Sequence, residues 1–215
     1  MKKVLLLFAV LLLAMSGFAD TIINNFTGYN DTWYPFGDTG RSTQTYGEVF
    51  TVPDGENYLK SFSFYTGGPL DPGNIIAGAY IATWTGTKAG KLLYDGGQFT
   101  YDNAGNETLS FNTGGVVVHP GEQYIVFLST SKFHGQSEGS TYFSAGDPNN
   151  NLDGFAYYNN AGSFDTLFDT VWEGFGLSPD LAVNLEFATV PEPGSLVLLG
   201  TGVLGSVGIL RRKLS

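Results

Sequence analysis

His119-Pro-Gly-Glu-Gln123-Tyr-Ile-Val-Phe-Leu-Ser129 sets a turn directly against a strand. Pro120 and Gly121 are turn formers because one presets φ and the other tolerates the left-handed region. The aromatic and branched residues that follow form a short apolar run closed by a polar serine, which is how a strand reads. The same alternation of short apolar runs and turn residues recurs on both sides. Strands are expected over Gly47–Val52, Tyr58–Tyr65, Ile75–Trp84, Lys91–Tyr94, Glu107–Asn112, Gln123–Ser129, Gly154–Tyr158 and Leu181–Phe187. Turns are expected at Pro53-Asp54-Gly55, Asp95-Gly96-Gly97, Asn103-Ala-Gly-Asn106 and His119-Pro120-Gly121. No segment reads as a long amphipathic helix. About eight strands at this spacing bury their apolar faces most simply as an all-β sandwich or jelly roll.

The ends of the chain are built differently. Lys2 and Lys3 precede an apolar run from Val4 to Met15 and a small-residue site, Gly17-Phe18-Ala19. That order is a secretory signal peptide, residues 1–19, with cleavage expected between Ala19 and Asp20 by signal peptidase after passage through the Sec translocon. At the other end stands Val190-Pro191-Glu192-Pro193. The two prolines remove amide donors and fix φ, so neither a helix nor a central strand runs through them. Residues 195–210 are apolar or small throughout, and Arg211, Arg212 and Lys213 follow at once. This predicts a single membrane helix with a basic cytoplasmic stop. At 1.5 Å per residue it spans roughly 25 Å, a marginal anchor suited to being temporary.

The tail, residues 190–215, resembles the PEP-CTERM sorting domain in its three parts: the Pro-Glu-Pro motif, the apolar helix and the basic terminus. The resemblance implies recognition by exosortase, processing near Pro191-Glu192-Pro193, and a setting of exopolysaccharide and biofilm. The expected route is export, transient anchoring in the inner membrane, then the cell surface or extracellular matrix.

Between the ends, residues 20–189 carry 19 acidic against five basic residues, a net charge of −14. Nucleic acid is excluded as a partner because no basic patch exists to displace counterions from phosphate. Cysteine is absent, which rules out thiol catalysis and thiolate metal ligation. A region of this length buries a sizeable core without disulfides. Gln44-Thr-Tyr-Gly-Glu-Val-Phe-Thr-Val-Pro53, Leu59-Lys-Ser-Phe-Ser-Phe-Tyr65, Tyr80 to Trp84, Leu92-Leu-Tyr94, Pro120 to Phe127, Trp172 and Asp180-Leu-Ala-Val183 resemble the jelly-roll ectodomain common among exported PEP-CTERM proteins. That resemblance implies a shape related to carbohydrate-binding modules and no defined catalytic set.

Three local features invite chemistry. Gly135-Gln-Ser137-Glu-Gly139 is a G-x-S-x-G with His134 beside it, yet its flanks announce no helix and the nucleophile elbow needs one. A Gly/Ser surface loop accounts for it. Asp147, Asn149, Asn151 and Asp153 place oxygen donors at alternate positions, as a calcium loop does, but Leu152 and Tyr158 stand where an EF-hand needs Gly and Glu. They are a candidate structural calcium site, with Asx turns as the plainer reading. Tyr157 and Tyr158, followed by two asparagines, are the candidate glycan contact, since sugars stack their apolar faces on aromatic rings. Strand alternation buries one of the two. The expected function is therefore a non-catalytic surface or matrix protein that binds polysaccharide. A secreted hydrolase acting on matrix polysaccharide is the alternative, because the distance between two carboxylates is a tertiary property.

Overall fold

The computed structural model describes residues 21–28, 34–40, 42–148, 152–158, 163–177 and 180–189. The chain divides into two units, of which the larger runs from Asp20 to Ala188. It is a sandwich of two antiparallel sheets. In chain order its strands are β1 (Ile22–Asn24), β2 (Pro35–Gly37), β3 (Thr45–Thr51), β4 (Tyr58–Asp71), β5 (Ile75–Trp84), β6 (Ala89–Tyr101), β7 (Thr108–Val117), β8 (Gln123–Ser129), β9 (Ser140–Phe143), β10 (Leu152–Tyr158), β11 (Glu173–Leu177) and β12 (Val183–Ala188). One helical turn, α1 (Thr166–Asp169), precedes β11.

The first sheet has the order β1-β12-β4-β9-β2, with β7 on the other flank of β4; the second has the order β11-β10-β3-β8-β5-β6. The two differ in how many of their faces are buried. In the first sheet, alternation decides: Leu59, Phe62 and Phe64 of β4 and Val183, Leu185 and Phe187 of β12 point into the sandwich, while the residues between them face outward. In the second sheet, β8 has no polar face to offer. Tyr124, Val126 and Leu128 enter the main core, and Ile125 and Phe127 enter a second core on the outer face of the sheet. β5 does the same, with Ile75, Ala77, Ala79 and Ile81 inward and Tyr80, Ala82 and Trp84 outward. A strand buried on both faces reads as a continuous apolar run, which is what Tyr124 to Leu128 is.

The cover over that outer face is the segment before β11. Leu167 and Trp172 are fully or almost fully buried against it, and Phe164 and Phe168 pack at its margin. Trp172 meets Phe127 and Trp84 edge-on, at ring-centroid distances of 5.4 and 5.9 Å. Its backbone N–H donates to Thr87 O (2.9 Å) and its Nε1 to Leu167 O (2.8 Å), so the cover is tied both to itself and to the sheet.

Several sequence expectations change. Gln123–Ser129 and Ile75–Trp84 stand as read. Asp95-Gly96-Gly97 does not form a turn; β6 runs through it, and the register slips by one residue between Gly78 and Tyr80 on its partner β5. The extra residue is absorbed by Gly97 at φ +72°, whose N–H donates to Asp95 Oδ1 (3.0 Å), so the glycines serve a bulge and not a chain reversal. β4 continues six residues beyond Tyr65 because its second half acquires a new partner, β9. Strands β1, β2, β9 and β11 were not expected. Asn103 does sit in a tight connection, at φ +55°, and its buried Nδ2 donates to Asp71 O (2.8 Å) and Ser140 O (2.9 Å), pinning β4 to β9. The expected signal-peptide helix and the membrane helix over 195–210 lie outside the described residues. Among the described residues no helix is long and apolar enough to cross a membrane.

Candidate functional site

The sorting motif, Val190, Pro191, Glu192 and Pro193, the basic stop at Arg211, Arg212 and Lys213, and the signal junction Ala19 and Asp20 lie outside the described residues. β12 ends at Ala188, two residues before Val190.

Within the body, the G-x-S-x-G loop joins the 3-10 turn Ser131–Phe133 to β9. Ser137 Oγ accepts from Ile76 N–H (3.0 Å) and donates to Ile76 O (3.3 Å), so the hydroxyl finishes the start of β5. Glu138 N–H and Gly139 N–H both donate to Asn74 O, at 2.8 and 3.2 Å. His134 Nδ1 lies 2.5 Å from Asp38 Oδ1, and Gly135 N–H donates to the other oxygen of the same carboxylate. A histidine and an aspartate do pair here, but the serine is held by β5 backbone. Ser137 also lacks the left-handed backbone of a strained elbow; among the described non-glycine residues only Asn103 has it. The arrangement closes a loop.

The candidate calcium loop is only partly described. Asp153 Oδ2 accepts from Thr51 Oγ1 (2.7 Å), and Asp147 N–H donates to Asn25 O (2.8 Å). Asn149 and Asn151 lie outside the described residues. Among the described residues no three His, Asp or Glu side chains are arranged to hold a metal ion. Of the two candidate sugar-stacking rings, Tyr157 packs against the main core, 5.6 Å from Tyr46 and 6.2 Å from Phe155 between ring centroids. Tyr158 packs against the second core. Alternation therefore sends the two rings to opposite faces and half-buries both.

One group the sequence reading passed over is Glu48, wholly buried in β3 on the same face as Tyr46 and Phe50. Its Oε2 accepts from Leu181 N–H (3.0 Å), linking β3 to the lead-in of β12. Burial pushes its carboxyl well above the usual carboxylate range; the nearby Asp180 raises it further, and the Leu181 amide pulls it part of the way back. Burial also raises the Tyr34 hydroxyl, with Asp180 and Glu48 adding to the effect. Parity along β3 was the available signal: Tyr46, Glu48 and Phe50 share one face.

The folded chain holds the Glu48 proton more tightly than the unfolded chain. That stabilisation is complete below the ordinary glutamate value of about 4.3 and is lost as pH rises through the folded value. Glu48→Gln keeps an acceptor for Leu181 and carries no charge at any pH. It is expected to melt near the wild type at pH 4.5 and to be clearly the more stable of the two at pH 8. Thermal melts at the two pH values check this, and an equal difference at both would refute the buried-proton account.

Residues 189–213 match the model of the PEP-CTERM protein-sorting motif. The tail is a PEP-CTERM sorting motif. The match takes in the Pro-Glu-Pro residues and the basic stop together, and a PEP-CTERM motif implies export and exosortase processing. No curated protein matches the chain by sequence. Two solved structures align with the body. One contains the cysteine protease and lectin-like domains of Cwp84, a surface layer associated protein of Clostridium difficile, at TM-score 0.48 and 13% identity, over 80% of this chain and 36% of that one. The other is the clostridial cysteine protease Cwp84 after propeptide cleavage, at TM-score 0.49 and 12% identity, over 80% and 40%. The chain thus spans well under half the length of either.

Proposed function

We propose that this chain is a non-catalytic protein of the cell surface or extracellular matrix, delivered through exosortase and working among exopolysaccharides. The PEP-CTERM motif carries the reading, because it assigns the chain to a sorting route and makes the chain the enzyme's substrate. The body supports it in a second way. Among the described residues that sequence suggested for chemistry, Ser137 is held by β5, His134 by Asp38, Asp153 by Thr51, and Tyr157 and Tyr158 by the two cores. The strong negative charge of the body keeps such a protein soluble after release and away from other polyanions.

Mass determination of the protein from cells with and without exosortase tests the reading. A shortened, C-terminally processed chain in the cell-surface or matrix fraction is expected in the first case, and a longer, membrane-retained chain in the second. Identical masses in the two strains would overturn the sorting route. Release of reducing sugar from matrix polysaccharide by the purified protein would overturn its non-catalytic character.

A further inference from the structure

The two outer faces of the sandwich are unlike. The outer face of the second sheet is closed by Leu167 and Trp172, whereas that of the first sheet is uncovered and polar across its centre, with the exposed side chains of Ile22 and Val117 on its two edge strands, β1 and β7. Its central row crosses four strands in register: Ser110 of β7, Ser63 of β4, Asn184 of β12 and Asn24 of β1. Ser63 and Ser110 Oγ atoms bond each other at 2.9 Å. The next row places Asn112, Ser61 and Glu186 side by side. Glu186 brings no free charge to the face, since one oxygen meets Lys60 Nζ at 2.7 Å and the other accepts from Ser61 Oγ at 2.9 Å. On the other side of the central row Tyr65 carries Phe26 stacked on it, with ring centroids 3.9 Å apart and planes within 5°.

We infer that this face binds a strand of uncharged polysaccharide, laid across the Ser110–Asn24 row with one sugar ring against the Phe26–Tyr65 stack. The inference rests on the surface-or-matrix reading above and names the ligand class for it. Three properties select the ligand. Serine hydroxyls and asparagine carboxamides both donate and accept, which matches a polyol whose every hydroxyl does the same. Ser63 is buried beneath its bond to Ser110, but Ser110, Asn184 and Asn24 reach the surface from three strands, and with adjacent strands about 4.8 Å apart the donors and acceptors are spread along a line and not gathered at a single point. The aromatic stack supplies an apolar surface for the C–H face of a sugar. Charge removes the competitors. The face is internally neutral in a body of net charge −14, so acidic polysaccharide and nucleic acid are repelled by the surroundings. A protein partner is a poor fit, because protein interfaces are depleted in serine and carry an apolar centre, whereas the exposed apolar side chains here, Ile22 and Val117, stand on the edge strands.

The test uses the processed protein and three probes: an insoluble neutral β-glucan, an insoluble neutral α-glucan, and acidic alginate. Ser110→Lys sets a long charged stem across the central row, and Phe26→Ala removes the stack. Gln98→Lys, exposed on β6 of the other sheet, serves as the control. Retention on at least one neutral glucan is expected. Ser110→Lys and Phe26→Ala are each expected to weaken it about tenfold, the scale of one lost stacking or hydrogen-bonding contact. Gln98→Lys should bind as the wild type does, and all three variants should melt within a few degrees of it. Retention on neither neutral glucan, retention on alginate alone, or neutral-glucan binding unmoved by Ser110→Lys and Phe26→Ala would each overturn the inference. The two readings fail separately. A processed protein found in the matrix that binds no glucan through this face removes only the ligand, whereas a chain never processed removes the surface-or-matrix reading whatever it binds.

Discussion

Replacing Pro191, Glu192 and Pro193 together by alanine is expected to abolish processing and leave the full-length chain in the membrane fraction. The reason lies in what each residue denies the backbone. β12 ends at Ala188 in the middle of a hydrogen-bonded sheet, paired to Tyr58 of β4. The apolar tail begins at Ser195. Two prolines within three residues disfavour both a helix and a central strand through the motif, since a proline inside a helix costs about 3 kcal/mol and one in a central strand removes a ladder bond. Proline favours extended backbone, the form in which a protease takes its substrate, and alanine does not. Glu192 has a separate part. It is the only charged residue between Glu186 and Arg211, so a single carboxylate marks the site. Glu192→Gln preserves shape and removes that charge. Losing a charge-assisted contact of about 1.5–3 kcal/mol slows processing roughly 10- to 150-fold. Pulse-chase labelling with mass determination separates the two effects. Processing of the triple variant at the wild-type rate would show that exosortase does not read these residues.

The fold was legible where the signal was local. β8 and β5 stand at their expected boundaries because an apolar run and its flanking turn residues are contiguous in sequence. β9 was missed because it has four residues, Ser140–Phe143, three of them polar or half-polar, and its pairing is decided by the second half of β4, some seventy residues away. The Gly96-Gly97 pair was misread because glycine signals a left-handed backbone without saying whether the chain reverses or merely bulges. The sorting motif was legible, since its recognition depends on residue order and not on packing. The body's candidate site was less so. Tyr157 and Tyr158 stood out as rings next to asparagines, yet the open polar face consists of serines and asparagines from four strands, none of which is distinctive alone. Register assembles them, and register is nonlocal.

The cover on the second sheet was likewise hidden, and it gives the largest expected effect on stability. Phe164, Leu167, Phe168 and Trp172 are few and lie in a short segment broken by Asp165, Thr166, Asp169 and Thr170, so sequence does not show that they close a second core. Trp172→Ala is expected to destabilise the protein by about 3–5 kcal/mol, the usual result of truncating a large buried aromatic. For a body of this size that lowers the Tm by roughly 6–20 °C. The cavity would lie against Phe127 and Trp84, and the Leu167 carbonyl would lose its indole donor. Whether the loss is confined to the cover depends on how the two cores are joined. Strands β3, β5 and β8 each contribute to both: Phe50 and Val49, Ile81 and Tyr80, Val126 and Ile125 lie on opposite faces of the same backbone. Wetting the outer face of these strands weakens the ladder that holds the inner one. One cooperative transition at lower temperature is therefore expected by far-UV circular dichroism, with no separate early melting of the cover. Val171→Ala, one residue away but 59% exposed, should change little. A Trp172→Ala melt within about 2 °C of the wild type, or two resolved transitions, would show that the second core contributes nothing to the sandwich beneath it.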